Sequence, residues 1–464
     1  MNTVILSGAV ILSGAVILSG AVILSGAVIL SGAKDLGTKR TVPVVRGEEI
    51  IMKKVYIIGA GLSAGSITSE AAAALKKSAV IFGAERLLED YAPFIREKTL
   101  VPEYASDKVI NVIKESAEEC FAVLVSGDPG FYSAALKLCE GLDQPAGADI
   151  GSDYEHWDPE YEVKVLPGIS SVNALFAALK RPWQDAVLAS FHGRDVGAAE
   201  LVRRNKEVFF LTGKNTAELS KKLCDAGYGG LALRVGQDLG RPTEKVFSCM
   251  ASELAGMELS SLTVVLAENP MADDSVRFGI DDEEFVRGNV PMTKSEVRAV
   301  VMSKLGIKPG MVCADIGAGT GSCTVEMALA AWKGKVYAVD PNPEAVELIK
   351  LNCRNFHIGN VEAVEGLAPQ DIKDWPPLDA VFVGGSKGNM AEIFDEVLAK
   401  NPKARIVTSA IVLQTLQQAM DAFKAHGIDP EIVQISAAAS KKVGGMDMMM
   451  ARNPIFIISG GGEN

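Results

Sequence analysis

Residues 312–322 constrain this chain more than any other stretch. They read Val-Cys-Ala-Asp-Ile-Gly-Ala-Gly-Thr-Gly-Ser: an apolar strand, a turn with three glycines, and a helix start. Ser322 is a candidate N-cap, with Glu326 on the first turns that follow. Gly317, Gly319 and Gly321 let backbone N–H groups approach a bound group closely and tolerate positive φ. A second strand over 335–339 ends in Asp340, where a carboxylate can accept both ribose hydroxyls of a nucleoside. Strand, glycine loop, helix, strand, carboxylate is the order of a nucleoside-cofactor site at the carboxyl edge of a parallel sheet. As a bare spacing it admits NAD or S-adenosylmethionine.

The surrounding sequence supplies the rest of such a sheet. Helices are expected over 343–356, 390–398 and 412–425. Strands are expected over 361–365, 379–383, 405–409, 432–435 and 454–459. This alternation describes a seven-stranded, mostly parallel, doubly wound domain. Upstream, Thr293 is a candidate N-cap, with Glu296 three residues on closing a capping box. The acidic run 281–284 reads as a solvated helix start.

The 464 residues suffice for two or three domains with full cores. A formal charge of −12 is the wrong sign for a duplex binder. Seven cysteines without a C-x-x-C pair read as reduced thiols in a cytoplasmic protein. The four histidines lie far apart, so no metal site is expected.

Residues 4–33 are five copies of Val-Ile-Leu-Ser-Gly-Ala. The length would span a bilayer as a helix, but no basic flank or aromatic belt accompanies it. A parallel β-helix is a further option. The preferred reading is a low-complexity tract, with an unstructured linker to residue 51. Folded sequence begins at Met52. A strand over 53–58 leads into Gly-Ala-Gly-Leu-Ser-Ala-Gly, then come an alanine-rich helix and a strand over 79–82. Later strands end in Ser-Gly-Asp-Pro-Gly-Phe-Tyr-Ser (126–133), Pro-Gly-Ile-Ser-Ser (167–171) and Ser-Phe-His-Gly-Arg (190–194). His192 and Arg194 are candidates for substrate contact.

In this order those motifs resemble the tetrapyrrole methylase family, in its CbiE-like branch, over residues 52–269. Leu62-Ser63 stands where that family usually has Pro-Gly. Pro-Met-Thr-Lys (291–294), Asp-Ile-Gly-Ala-Gly-Thr-Gly (315–321), Asp-Pro-Asn-Pro-Glu-Ala (340–345), Glu-Gly-Leu-Ala-Pro (365–369) and Val-Gly-Gly-Ser-Lys-Gly (383–388) resemble CbiT-like decarboxylating precorrin methyltransferases over 277–464. The resemblance implies an α/β chain with a two-subdomain tetrapyrrole methylase fold followed by a doubly wound, Rossmann-like class I methyltransferase fold.

It also implies S-adenosyl-L-methionine as cofactor, held by Thr293, Gly317, Ala318, Gly319, Thr320, Gly321, Asp340 and Ala368. Asp315 would lie close to the cofactor's ammonium. Leu367 replaces the aspartate that usually precedes the Ala-Pro step. The implied activity is methylation of two ring carbons of a precorrin, with loss of carbon dioxide from the ring C acetate, in cobalamin synthesis. The partner is then a small tetrapyrrole rather than nucleic acid, and a homo-oligomer is expected. Lys294, Lys387, Lys441 and Lys442 are candidates to offset the substrate's carboxylates. No catalytic acid or nucleophile is identifiable. The competing reading is a nucleic-acid or protein methyltransferase with an accessory domain. It lacks support because the fourth strand of the sheet ends in Val-Gly-Gly-Ser rather than an Asn/Asp-Pro-Pro-Tyr box.

Overall fold

The computed structural model describes residues 52–142, 161–191 and 197–462, together with the backbone of five short strands between Ile5 and Leu30. Those five strands pair antiparallel in sequence order. A Ser-Gly step every six residues limits each strand to about four residues. The layout is neither a spanning helix nor a parallel β-helix. Among the described residues no helix is long and apolar enough to cross a membrane. The linker 34–51, His192 and Arg194 lie outside the described residues.

The chain divides into two compact units, one ending at Gly168 and one beginning at Ile169. The first carries a five-stranded parallel sheet in the order Tyr161–Leu166, Lys53–Gly59, Cys120–Val125, Val80–Phe82, Thr99–Val101. Its loops converge at the carboxyl edge. Gly61 and Gly127 exchange backbone hydrogen bonds of 3.0 and 3.1 Å. The Asp128 carboxylate accepts the N–H groups of Gly130 at 2.8 Å and Gly168 at 3.0 Å. The Leu62-Ser63 stretch wraps around Ser66, whose hydroxyl oxygen accepts both their amides at 2.9 and 3.1 Å.

The second unit begins with a mixed sheet in the order Val187–Ser190, Glu207–Leu211, Thr263–Glu268, Ala232–Gln237, Lys245–Met250. The seven-stranded sheet follows. Its elements are α1 (Ser295–Leu305), β1 (Val312–Ile316), α2 (Ser322–Ala330), β2 (Lys335–Asp340), α3 (Pro343–Asn355), β3 (Val361–Glu365), β4 (Ala380–Val383), α4 (Met390–Lys400), β5 (Arg405–Ala410), α5 (Leu413–Ala425), β6 (Glu431–Ile435), β7 (Ala438–Val443), β8 (Met446–Ala451) and β9 (Ile455–Gly460). The sheet order is β3-β2-β1-β4-β5-β9-β6. Every pair is parallel except those made by β9. β7 and β8 form a separate exposed hairpin, a stretch to which the sequence reading assigned no element.

Alternate residues on each strand feed opposite faces. Cys313, Val336 and Phe382 pack with Val301 of α1, Val325 of α2 and Ile349 of α3. Ala314, Val339 and Val381 pack with Phe394 of α4 and Phe423 of α5 on the other face. Full burial of a side chain such as Phe382 or Phe394 is worth about 1.5–3 kcal/mol.

Two helix starts differ from expectation. Thr293 is not the cap of α1. Lys294 holds that position without a side-chain cap bond, and the Ser295 N–H is taken at 3.1 Å by Asp282, a carboxylate from thirteen residues upstream. Glu296 pairs instead with Arg452. Ser322 is likewise the first helical residue of α2, because the chain turns at Gly321, which sits at the cap position with φ 77°. Asp282 is 7% exposed, so the 281–284 run is not a wholly solvated start.

Candidate functional site

The strand order reverses beside β1, with β2 on one side and β4 on the other. In an open α/β sheet the ends of such strands leave a crevice at the carboxyl edge. Here that crevice is a cleft of about 260 Å³, entered by the ends of β1, β2 and β4. Thr293, Gly317, Ala318, Gly319, Asp340 and Ala368 line it. Val290, Pro291, Leu367, Ser386 and Lys387 join them.

The three glycines of the loop do different work. A Cβ on Gly317 (φ 73°) would stand 2.7 Å from the backbone N and O of Gly385, so this glycine lets the β1 and β4 loops touch. A Cβ on Gly319 (φ 58°) would stand 2.5 Å from the Pro291 carbonyl oxygen. Gly321 does not line the cleft. It faces α3, where a Cβ would lie 2.8 Å from Ile349 Cγ1. Thr320 is also set behind the cleft, 1% exposed and with its hydroxyl unpartnered.

Asp340 is held by two backbone amides. One carboxylate oxygen accepts the Gly319 N–H at 2.9 Å and the other accepts the Asn342 N–H at 2.9 Å. Asn342 in turn caps α3 by accepting the Glu344 N–H at 3.0 Å, with Pro343 filling the first helical position. Each Asp340 oxygen keeps a lone pair for a further donor.

Asp315 lies beneath the loop and is fully buried. The Thr324 hydroxyl donates to its Oδ2 at 2.6 Å, while Oδ1 has no partner. Burial pushes this carboxyl up to about 7, the Thr324 hydrogen bond opposes the rise, and the negative charge of Asp340 adds to it. Asp315 does not itself line the cleft, so its charge acts there from beneath the loop rather than by contact.

The far wall is less polar. The Leu367 N–H is taken by Asp371 at 2.7 Å, and the Ala368 carbonyl accepts from Asn389 at 3.1 Å. Replacing the usual aspartate by Leu367 therefore leaves that wall apolar, with its local amide already engaged. Among the four candidate lysines, Lys387 lines the cleft in a left-handed conformation (φ 51°). Lys294 is paired with Asp282 at 3.0 Å. Lys441 and Lys442 lie on the exposed β7–β8 hairpin.

Of the roof of the site the sequence reading named only its end, at Pro-Met-Thr-Lys and Thr293. Val290, Pro291 and Thr293 end a strap, residues 279–293, that runs over the glycine loop. The helices behind the loop hold it. Glu326 accepts the N–H groups of Gly279 at 2.9 Å and Ile280 at 3.0 Å. Asn352 accepts the Val286 N–H at 2.8 Å and donates to the carbonyls of Val286 at 3.1 Å and Thr320 at 2.8 Å. Glu344 accepts the Asn289 N–H at 2.9 Å.

Residues 284–460 match the precorrin methyltransferase domain family, and residues 54–255 match the tetrapyrrole (corrin/porphyrin) methylases. A probable cobalt-precorrin-6B C(15)-methyltransferase (decarboxylating) of Pyrobaculum calidifontis is 40% identical over 184 residues, 39% of this chain and 94% of that protein. Its namesake in Sulfurisphaera tokodaii is 38% identical over 190 residues, 39% of this chain and 96% of that protein. A solved precorrin-6y C5,15-methyltransferase from Geobacter metallireducens is 36% identical, covering 40% of this chain and 97% of its own, with a TM-score of 0.38. The match across nearly the whole of these two curated relatives leads to one conclusion: the chain belongs to the precorrin methyltransferase family, with a tetrapyrrole methylase half preceding that domain.

Proposed function

We propose that the cleft binds S-adenosylmethionine and that the chain methylates a precorrin or cobalt-precorrin ring at C-5 and C-15, with decarboxylation of the ring C acetate, in cobalamin synthesis. The observation that carries this reading is Asp340, fixed by the Gly319 and Asn342 amides at the rim of a side-chain-free loop. The residues present fit the cofactor. Asp340 would take the ribose hydroxyls. Leu367 and Ala368 would flank the base. Asp315, buried beneath the loop, would balance the ammonium by its field rather than by contact. Two acidic groups around the loop make it a poor host for a pyrophosphate. Thr293, Gly317, Ala318 and Gly319 would contact the cofactor, while Thr320 and Gly321 would support the loop from behind.

When bound, the cofactor supplies a methyl group on a cationic sulfur. The protein's own contribution is alignment and exclusion of water, since a reduced tetrapyrrole is already an enamine-like carbon nucleophile. The strap roofs the cleft, and the Gly317–Gly385 contact closes its floor. Lys387 stands at the rim, where it can pair with a substrate carboxylate. Loss of carbon dioxide requires protonation of the neighbouring ring, for which a weak acid or a bound water suffices.

The amino-terminal half, with its Gly61–Gly127 and Asp128–Gly168 loop contacts, would perform the other methyl transfer. The test is mass spectrometry of the precorrin intermediate incubated with protein and S-adenosylmethionine. Gain of two methyl groups with loss of carbon dioxide is expected. An unchanged mass overturns the proposal.

A further inference from the structure

Arg298 on α1 is fully buried behind the cleft and does not itself line it. Its Nε donates to Glu326 Oε1 at 2.9 Å, and its Nη1 donates to Asp282 Oδ1 at 3.0 Å. Nη1 also donates to the Thr293 carbonyl and Nη2 to the Ile280 carbonyl. The guanidinium lies 4.8 Å from the centroid of the Phe285 ring. One side chain therefore meets the strap near its start, at Ile280 and Asp282, and at its end, at Thr293. Glu326 meets the same strap through two further amides while projecting from α2, the helix that the glycine loop opens.

The energetics argue against a simple stabilising role. A buried ion triad is often no more stable than well-packed apolar residues of the same volume, because desolvating the charges offsets their attraction. What apolar residues could not supply is direction: five donors in a rigid fork select one register of the strap. That register brings the Pro291 carbonyl so close to Gly319 that no side chain fits between them. Asn352 repeats the device by joining Val286 of the strap to the Thr320 carbonyl of the loop.

We infer that Arg298 is a positioning residue of the methyl-transfer site: with Glu326 and Asp282 it forms a clasp that sets the strap at a fixed height above the glycine loop, and so sets the depth of the cleft. This deepens the cofactor reading above and rests on it.

The test uses the full chain and two variants. Arg298→Lys keeps a charge but has a single donor group in place of the fork. Asp282→Asn keeps the Arg298–Glu326 pair while removing the charge through which Asp282 meets Arg298 and Lys294; its side-chain oxygen can still accept the Ser295 N–H. Titration with S-adenosylhomocysteine should show Kd raised by about tenfold in each, with kcat at saturating cofactor changed much less. Hydrogen exchange of the strap amides 280–293 should accelerate while the amides of β1, β2 and β4 keep their protection. Restored affinity in the conservative Asp282→Glu variant would support the clasp.

Wild-type Kd and wild-type strap exchange in both variants overturn the inference. So does acceleration spread equally over strap and sheet, which is plain loss of stability. Should Arg298→Lys fail to fold, Asp282→Asn carries the test alone. Should the wild type not bind the nucleoside at all, the cofactor reading fails, while strap exchange still decides for or against the clasp.

Discussion

Replacing Asp315 by asparagine should make the protein more stable at neutral pH, even though it removes a residue of the loop motif. The carboxyl is fully buried, and its pKa is raised from 3.8 to about 7, chiefly by desolvation. A group whose folded pKa exceeds its unfolded value favours the folded state below the unfolded pKa. That advantage is lost as pH rises towards the folded pKa. From 3.8 to about 7 is roughly 3 units, and at 1.36 kcal/mol per unit the loss is about 4 kcal/mol.

The asparagine variant has no such ionisation and keeps an acceptor for Thr324. The variant-minus-wild-type difference in unfolding free energy should therefore climb between about pH 4 and pH 7 and flatten above. Urea denaturation at half-unit pH steps measures it, other titrating groups being common to both proteins. Parallel curves over that window would refute the reasoning. The same charge should be recovered on binding a cationic ligand. Near pH 7, S-adenosylmethionine should expel a proton from wild type but not from the variant, read as a buffer-dependent binding enthalpy.

Further outcomes follow from other contacts. Gly319→Ala combines positive φ with a Cβ 2.5 Å from the Pro291 oxygen; S-adenosylhomocysteine affinity measured by titration should fall at least about tenfold. Gly321→Ala, crowded by Ile349 rather than by the strap, should lower the melting temperature more than it lowers affinity. Lys387→Met should raise KM for the polycarboxylate substrate at low salt and lose most of that effect near 1 M salt, where exposed charges are screened. Equilibrium dialysis should give two equivalents of S-adenosylmethionine per chain if both halves bind it; one equivalent would mark one half as a scaffold.

The seven-stranded domain was largely legible because its signals are local. Cys313 and Ala314 alternate between two apolar faces, glycines follow β1, β3 and β4, and Asp340 closes β2 beside the glycine loop. The roof was not legible, because it depends on pairings across long separations. Asp282 sits in a run of four acidic residues that reads as solvated. Only the fold brings Arg298 and Lys294 to it, and together they outweigh the burial that would raise its pKa and hold it below the usual carboxylate range. Thr293 followed by Glu296 has the spacing of a capping box, yet a carboxylate from outside the helix took the first-turn amide. The β7–β8 hairpin also escaped notice. Its methionine-rich second strand is exposed throughout, so its periodicity carries no inside-outside contrast.

The strap carries a lesson for dissecting the chain. Every recognisable motif word of the carboxy-terminal domain except Pro-Met-Thr-Lys lies beyond residue 312, and a fragment cut there would keep the whole parallel sheet. It would also lose α1 and the segment that covers the glycine loop, leaving Glu326 and Asn352 with buried hydrogen-bonding groups and no chain to meet. An autonomous piece must therefore begin no later than Gly279, more than thirty residues before the first strand of its own sheet.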